Sequence, residues 1–277
     1  MIAIIAGTGT LPVEACKSLL NRSAEIQAAE PFFVVALFAD DNLNELQQVV
    51  QDKAEVISQE CYKAGQVLEL LKSKNTTQIL FIGKVDKSHL FKKIKLDWLA
   101  IKLLSSLIYK NDAAIMERIV KELESHGISI LRQDQVLDSL MIKPGILTGK
   151  LTENLATDVK MGIDTAIKLS QLDIGQTVVV KDQMIMAIEA IEGTDKCIRR
   201  GIELGKNGVV VCKAAHQNQN HKYDLPTLGP GSLNSISKGE VAVIAWLHDK
   251  TLIAQQEEFI KKANELGITL VSYKSEA

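Results

Sequence analysis

Charged side chains stand at the ends of apolar segments in the second half of the chain, where they could gather into a reactive site. Glu189 and Lys213 each close a run of aliphatic residues, and Asp224 precedes Leu225 and Pro226. A buried carboxylate costs free energy unless it has a partner or a cation. Carboxylates hold Mg²⁺ and a lysine neutralises phosphate, so this set predicts a divalent-cation diphosphate site. A structural salt-bridge network fits the same spacing at least as well.

Two polar residues at the start of a predicted helix, Thr194 and Asp195, have a simpler interpretation. Either is a natural N-cap, because its side-chain oxygen accepts a hydrogen bond from the first N–H groups of a helix. Capping accounts for both residues, but it leaves the carboxylate of Glu189 unexplained.

A glycine turn follows the first aliphatic run of the chain. Gly7 and Gly9 lie between Ile2–Ala6 and a segment with helical spacing that begins near Pro12. Backbone N–H groups and the positive end of a helix dipole at such a turn suit phosphate. Pro12 occupies the third glycine position of the dinucleotide fingerprint, and Asp40 comes later than the ribose-binding acid of that motif. The turn predicts phosphate or nucleotide contact rather than NAD binding, with a plain tight turn as the alternative.

Composition and missing motifs exclude several classes of function. A formal net charge of −2 and 4% aromatic residues disfavour nucleic-acid binding. Residues 145–151 look like a Walker loop, but the segment is one residue short and has Leu151 where a metal-binding hydroxyl belongs. The five histidines show no metal-ligand spacing, and no GxSxG segment suggests a serine hydrolase.

Cysteine usage and hydropathy indicate where the protein works. Four cysteines without a CxxC pair predict reduced thiols in the cytosol. No apolar run approaches the roughly 20 residues of a membrane-spanning helix. A soluble, cytoplasmic protein is therefore expected.

Aliphatic runs alternating with helical patterns predict an α/β protein of two domains, which a length of 277 residues also suggests. Residues 1–132 are predicted to form a Rossmann-like domain with a parallel sheet, its strands at 2–6, 32–38, 77–82 and 128–131 and later helices at 96–108 and 112–125. Residues 133–154 are the predicted linker. Residues 155–277 are predicted to form a mixed α/β domain, with helices at 155–169, 195–204 and 251–265, a hairpin at 177–181 and 184–189, and strands at 208–213, 241–246 and 268–272.

The segment Leu90–Tyr109 interleaves lysines, including Lys102, with apolar residues that include Trp98. A basic amphipathic helix of this kind can lie on an anionic membrane or line an acyl-chain cleft. A helix packed against its own domain, with its lysines in water, is the commoner arrangement.

Seven motifs, in order and at fitting separations, give the chain a resemblance to a known family over nearly its whole length. They are GTGTLP at 7–12, GKV at 83–85, PGILT at 144–148, LDIGQ at 172–176, IEAIEGTD at 188–195, Lys213 and YDLPTLG at 223–229. The chain resembles the LpxI-type UDP-2,3-diacylglucosamine pyrophosphatases of lipid A biosynthesis.

That resemblance implies a cytoplasmic, membrane-peripheral enzyme that hydrolyses UDP-2,3-diacylglucosamine to UMP and lipid X with Mg²⁺. It implies a homodimer whose subunits hold the substrate in a cleft between two domains, with peripheral contact at the inner membrane. By matching position, Asp224 corresponds to an acid important for catalysis. Lys213 and the segment 189–195 match the substrate and metal environment, and 9–11 matches an N-terminal ligand loop.

The resulting site prediction combines the resemblance with the residue chemistry. The catalytic residues are Asp224 and Lys213, and the metal ligands are Glu189, Asp195 and Asp224. The substrate-binding residues are Gly9, Thr10, Leu11, Lys84, Gln176, Thr194 and Lys222.

The chain departs from the family pattern just before the key aspartate. The family usually has Gln-Asp-x-Arg there, whereas this chain has Asn220 and Lys222 at the acidic and arginine positions. Asn220 removes one negative charge. Lys222 replaces the guanidinium of arginine, which can bind a phosphate through two N–H groups, with a single ammonium. The change bears on the number of metal ligands and on how the diphosphate is held.

In the predicted mechanism, Mg²⁺ held by Asp224 with Glu189 or Asp195 polarises a water for in-line attack. Lys213 and Lys84 offset charge on the phosphates. A general-base role for Asp224 is the open alternative. Two other functions also stay open, a nicotinamide-dependent oxidoreductase and a non-catalytic nucleotide-sugar-binding protein.

Overall fold

The computed structural model describes residues 1–26, 31–84, 96–105, 112–215 and 220–274. These residues form two compact units. The N-terminal unit contains Met1–Asp138 together with His221–Tyr223, and the C-terminal unit contains Ser139–Asn220 and Asp224–Ala277. The domain limits proposed from the sequence, 132 and 155, stay a prediction.

The N-terminal unit is built on a five-stranded parallel sheet in the order β3-β2-β1-β4-β5. Its strands are β1 (Ile2–Ala6), β2 (Phe32–Ala36), β3 (Glu55–Ser58), β4 (Gln78–Ile82) and β5 (Ser129–Ile130). Its helices are α1 (Leu11–Ile26), α2 (Ala39–Val50), α3 (Ala64–Ser73), α4 (Trp98–Ser105), α5 (Asp112–Ser125) and α6 (Gln133–Val136). Every residue of β1 and β2 is buried, as their unbroken aliphatic composition predicts. The predicted Rossmann-like parallel sheet is confirmed.

The stretch that forms α2, β3 and α3 was not identified from the sequence. Strand β3 has four residues and lies at the edge of the sheet, where its outer residues reach solvent. An edge strand needs no continuous apolar run, so the pattern that marks β1 and β2 is missing from it.

The loops after β1 and β4 meet at the carboxyl edge of this sheet. The strand order reverses between these two strands, and such a switch point is where open α/β sheets bind ligands. The Thr8 N–H donates to the Lys84 carbonyl at 2.7 Å, and the Lys84 N–H donates to the Thr8 carbonyl at 3.0 Å. The two loops therefore hold each other in place.

Replacing Gly7 by alanine should destabilise the N-terminal unit. The added Cβ would lie 2.4 Å from the backbone oxygen of Lys84, which no rotamer change can move away. Overpacking of this kind costs roughly 1–3 kcal/mol, which chemical denaturation followed by circular dichroism would measure. Gly231→Ala is the control, because a Cβ at Gly231 meets nothing within 4 Å. Equal stability of Gly7→Ala and the wild type would contradict the close approach of the two loops.

The C-terminal unit contains a six-stranded mixed sheet in the order β6-β13-β11-β9-β7-β8 and a separate two-stranded pair, β10 and β12. Its strands are β6 (Gly145–Ile146), β7 (Thr177–Lys181), β8 (Met184–Ile188), β9 (Val209–Lys213), β10 (Thr227–Leu228), β11 (Val241–Leu247), β12 (Leu252–Ile253) and β13 (Thr269–Tyr273). Strands β9, β11 and β13 are parallel, whereas β7 and β8 run antiparallel to their neighbours. The predicted mixed α/β domain is confirmed.

Helices cover both faces of the six-stranded sheet. They are α7 (Glu153–Gln171), α8 (Thr194–Gly205) and α9 (Gln256–Leu266). Val178 and Val180 of β7 pack in one apolar cluster with Ile163 of α7, and Val179 packs in another with Ile198 of α8. Alternate residues of one strand thus face opposite helices, which is why residues 178–180 of β7 are all valine.

The predicted hairpin between β7 and β8 is confirmed, and the predicted helix at 251–265 is partly wrong. Asp182 and Gln183 join the hairpin with φ angles of 48° and 61°, the left-handed pair of a two-residue hairpin turn. Helix α9 begins at Gln256, and residues 252–253 form β12 instead. A short, fully apolar run does not distinguish a buried strand from a buried helix turn.

No helix within the described ranges is long and apolar enough to cross a membrane. All four cysteines are free thiols, as predicted.

Candidate functional site

A polar cluster in the C-terminal unit forms where strand ends meet the start of α8. We define it as Gln176, Thr177, Glu189, Thr194 and Lys213. Strand β7 begins at Thr177 and β9 ends at Lys213, and the antiparallel register places these two residues opposite each other. The Glu189 N–H donates to the Thr177 carbonyl at 2.8 Å, which brings the residue after β8 to the same place.

The ammonium of Lys213 is buried at the centre of this polar cluster. Lys213 is 6% exposed, and its Nζ donates to the Thr194 hydroxyl at 2.8 Å and to the Thr177 hydroxyl at 3.5 Å. The Thr194 hydroxyl in turn donates to Glu189 Oε1 at 2.9 Å. Thr194 therefore bridges the buried cation of Lys213 and the partly buried carboxylate of Glu189, and gives each charge a hydrogen-bond partner.

Backbone packing fixes the position of the Glu189 side chain. The Gln176 N–H donates to Glu189 Oε2 at 3.3 Å. Gly175 lies against the same residue, since a Cβ at Gly175 would come within 2.3 Å of the Glu189 carbonyl oxygen. Behind the polar cluster, burial and the nearby Glu189 charge raise the pKa of the Cys197 thiol to about 12, so this thiol is unreactive at neutral pH.

The capping interpretation of Thr194 and Asp195 is wrong. The N-cap of α8 is Gly193, with φ of 83° and no side-chain capping bond. Thr194 is the first helical residue, and its hydroxyl serves the polar cluster instead. Asp195 is exposed in the first turn, where its charge suits the positive end of the helix dipole.

The predicted N-terminal residues lie at the carboxyl edge of the parallel sheet. Gly9, with φ of 90°, and Thr10 are exposed, and Leu11 is the first residue of α1. The Thr10 carbonyl accepts from the N–H groups of Val13 and Glu14, both at 3.1 Å, so the loop leads directly into the helix. An exposed glycine loop at a helix N-terminus fits an anionic group.

Asn42 supports this N-terminal loop and was missed in the sequence analysis. It lies on α2, is 4% exposed, and donates through Nδ2 to the Gly7 carbonyl at 2.8 Å. Lys84 lies beside this loop. Its backbone is hydrogen-bonded to that of Thr8, and its side chain is exposed.

Lys222 and its neighbour His221 belong to the N-terminal unit. Lys222 Nζ lies 3.1 Å from Glu124 Oε1. His221 Nδ1 lies 2.7 Å from Asp134 Oδ2, which also accepts from Arg132 at 2.6 Å. Burial acts to raise the pKa of Asp134, but hydrogen bonds from Arg132 and His221 outweigh it and lower the pKa to about 2. Asp134 is therefore fully ionised at neutral pH.

Asp224 is the first residue of the C-terminal unit after this segment, and it is exposed. Its N–H donates to the Asn220 carbonyl at 3.0 Å, closing a one-turn loop, and the next residue, Leu225, is 8% exposed. The backbone that carries the exposed Asp224 carboxylate is therefore held by this hydrogen bond before it and by the buried Leu225 after it.

Family comparisons account for both units. The LpxI N-terminal domain family matches residues 1–140, and the LpxI C-terminal domain family matches residues 143–271. The chain belongs to the LpxI family. A relative from Caulobacter vibrioides, UDP-2,3-diacylglucosamine pyrophosphatase LpxI, is 29% identical over 283 aligned residues, which cover 96% of this chain and 95% of the relative.

Of the predicted residues in this LpxI-family chain, four come together in the polar cluster: Gln176, Glu189, Thr194 and Lys213. No three His, Cys, Asp or Glu side chains in the described part of the chain are grouped to hold a metal ion. Glu189, Asp195 and Asp224 therefore do not form a ready-made cage. Mg²⁺ commonly takes one or two carboxylates plus substrate phosphates, so single carboxylates of this set still suit it, and the metal ligands stay a prediction.

Thr194→Val should destabilise the C-terminal unit of the LpxI-family chain. The substitution keeps the shape but removes the hydroxyl that receives the Lys213 ammonium and donates to Glu189. Leaving buried polar groups unsatisfied costs about 1–3 kcal/mol, measurable as a lower urea midpoint. Thr157→Val is the matched control, because the Thr157 hydroxyl only donates to the Glu153 carbonyl on the exposed face of α7. If both variants unfold at the wild-type urea concentration, the hydroxyl bridge contributes nothing.

Proposed function

We propose that this protein hydrolyses the diphosphate of UDP-2,3-diacylglucosamine to UMP and lipid X, 2,3-diacylglucosamine 1-phosphate. The observation that carries the proposal is the match of both LpxI domains along the chain, together with a relative that has this activity in its name. The polar cluster supports it, because a buried ammonium beside strand ends can receive the negative oxygens of a diphosphate.

In this proposal Asp224 and Lys213 have separate tasks. Asp224, as an exposed carboxylate, either takes a proton from the attacking water or binds the metal. Lys213 offsets the charge that develops on the phosphate oxygens, and its hydrogen bond to Thr194 orients it before substrate arrives. Gln176 and Thr194 line the same polar cluster and complete this part of the substrate-binding set.

Within the N-terminal unit, the loop after β1 and two lysines are the proposed substrate-binding groups. Gly9, Thr10 and Leu11 offer backbone groups at the start of α1, and the exposed Lys84 offers a cation beside them. Lys222 is engaged with Glu124 across an exposed surface, where an ion pair is worth little and exchanges readily for a phosphate.

Mg²⁺ is part of the proposal, with Asp224 and either Glu189 or Asp195 as its protein ligands. When bound, the ion supplies Lewis acidity to the diphosphate and lowers the pKa of a coordinated water. The carboxylate of Glu189 accepts one hydrogen bond at each oxygen, which leaves lone pairs for a cation.

The decisive assay incubates the purified protein with UDP-2,3-diacylglucosamine and Mg²⁺ and measures UMP. We expect UMP from the wild type and a loss of at least about 100-fold in kcat for Asp224→Ala, since a positioned acid or base contributes about 10²–10⁴. Asp164→Ala is the control, because Asp164 forms an exposed pair with Lys160 on α7.

The same assay separates the alternatives. Full activity in Asp224→Ala would defeat both roles proposed for that carboxylate. Substrate binding without UMP would favour the non-catalytic nucleotide-sugar-binding protein. A fluorescence change on adding NADH would favour the oxidoreductase, for which the loop after β1 is the only described support.

We further propose that α4 contacts the membrane that holds the lipid substrate. Trp98 is 75% exposed and Ile101 is 51% exposed, and Lys102 Nζ lies 5.5 Å from the centre of the Trp98 ring. An apolar surface beside a lysine suits an anionic bilayer. The lysines at 92, 93 and 95, which belong to the same amphipathic prediction, lie outside the described residues. The homodimer stays a prediction.

Flotation with phosphatidylethanolamine and phosphatidylglycerol vesicles tests the membrane contact. The wild type should float with the vesicles, and the double substitution Trp98→Ser with Ile101→Ser should return it to the soluble fraction. Leu204→Ser, which alters an equally exposed apolar residue on α8, should leave flotation unchanged. Wild-type protein that stays wholly soluble would overturn the membrane contact without affecting the proposed hydrolysis.

A further inference from the structure

A three-residue strap, His221–Tyr223, is attached to the N-terminal unit, while Asn220 before it and Asp224 after it belong to the C-terminal unit. The Gln133 N–H donates to the His221 carbonyl at 2.7 Å. Tyr223 packs against the apolar cluster of the N-terminal unit. The strap is therefore held by backbone, by a side-chain pair and by apolar contact.

The pair of His221 and Asp134 is better protected from water than the pair of Lys222 and Glu124. The two side chains are 12% and 16% exposed, and Nδ1 and Oδ2 are 2.7 Å apart. Lys222 and Glu124 are 37% and 46% exposed, so water screens that pair and it holds the strap weakly. The His221 pair therefore holds the strap more firmly than the Lys222 pair does.

The Asp134 carboxylate that holds His221 is itself fixed in position by hydrogen bonds from Arg132. Arg132 donates to both its carboxylate oxygens, at 3.0 and 2.6 Å, and Arg132 also lies 3.0 Å from His221 Nδ1. The intervening Gln133 side chain donates to the Phe81 carbonyl at 2.9 Å. The segment that carries Asp134 is thus tied to β4, two residues before Gly83.

The strap leads directly to Asp224. The Asp224 N–H donates to the Asn220 carbonyl at 3.0 Å, so the loop that contains the strap is one closed turn. A closed turn transmits a displacement of His221 to the residue three positions later, because few backbone dihedrals lie between them.

We propose that His221 and Asp134 are positioning residues that fix the backbone from which the Asp224 carboxylate projects. This inference rests on the proposed function, in which Asp224 acts on the diphosphate. The pair is assigned a positioning role, in which it acts by holding Asp224 in its reactive orientation. Misplacing a reactive group by about 1 Å can cost 10²-fold in rate.

The test compares kcat and KM for His221→Ala, His221→Asn and Asp134→Asn in the UMP assay. We expect His221→Ala and Asp134→Asn to lower kcat by about ten- to a hundredfold, and to change kcat more than KM, to which Lys222 on the same strap contributes. His221→Asn should recover most of kcat, because the Asn Nδ2 group can occupy the place of His Nδ1 and donate to Asp134. Combining His221→Ala with Asp134→Asn should add little to either single loss, since both break one contact.

Asp164→Asn is the matched control, because it removes a carboxylate from an exposed ion pair and should leave kcat unchanged. Rates are compared per folded protein, from circular dichroism and urea midpoints. If His221→Ala does not fold, Asp134→Asn carries the same comparison. A kcat within about twofold of the wild type for a folded variant that lacks the pair would overturn the proposal, as would a failure of His221→Asn to exceed His221→Ala.

Hydrogen–deuterium exchange separates this inference from the proposed function. His221→Ala should speed exchange at the Asp224 amide by about tenfold or more without substrate present, because that amide donates to the Asn220 carbonyl when the turn is closed. If the wild type makes no UMP, the proposed function fails, and the exchange result still decides whether the strap holds Asp224. Unchanged exchange in His221→Ala would overturn the strap whatever the activity.

Discussion

The buried ammonium of Lys213 is the constraint on which the C-terminal unit depends. A lysine taken out of water needs acceptors within hydrogen-bond distance, and Thr194 and Thr177 are those acceptors. This requirement forces the ends of three strands and the start of α8 to converge. The register of β7 with β9 supplies one of these acceptors, since Thr177 lies opposite Lys213. Glu189 then balances the charge through the hydroxyl of Thr194.

The two units hold their predicted site residues in different ways. The C-terminal unit buries side-chain charge and satisfies it with hydroxyl groups. In the N-terminal unit, hydrogen bonds instead fix the backbone of the loop after β1. The Gly7 carbonyl accepts from Asn42, and the Thr8 backbone pairs with that of Lys84. The Lys84 side chain remains exposed.

Much of the fold could be predicted, because central strands buried on both faces must be apolar throughout. Strands β1, β2, β7 and β9 and the hairpin turn follow from this rule and from local turn chemistry. The rule does not identify the edge strand β3, because part of β3 faces water and its sequence is not continuously apolar. The role of Thr194 was not decided by sequence either, because capping and hydrogen bonding to a buried lysine both favour threonine. In the structure Gly193 is the N-cap, so the Thr194 hydroxyl is available to bond Lys213 and Glu189. The pairing of His221 could not be predicted from the sequence, because its partner, Asp134, is 87 residues away along the chain, a separation that no local pattern reveals.

The chain enters each unit twice, since His221–Tyr223 returns to the first unit after the second has begun. Neither unit is therefore a module that can be excised at one peptide bond. A fragment ending at Asp138 would lack Tyr223 from its apolar cluster and the imidazole that pairs with Asp134. Recombination that exchanged one half between relatives would have to carry these three residues along with the first half. The two halves are expected to have been inherited together, which agrees with both being matched in one order by one relative along nearly its full length.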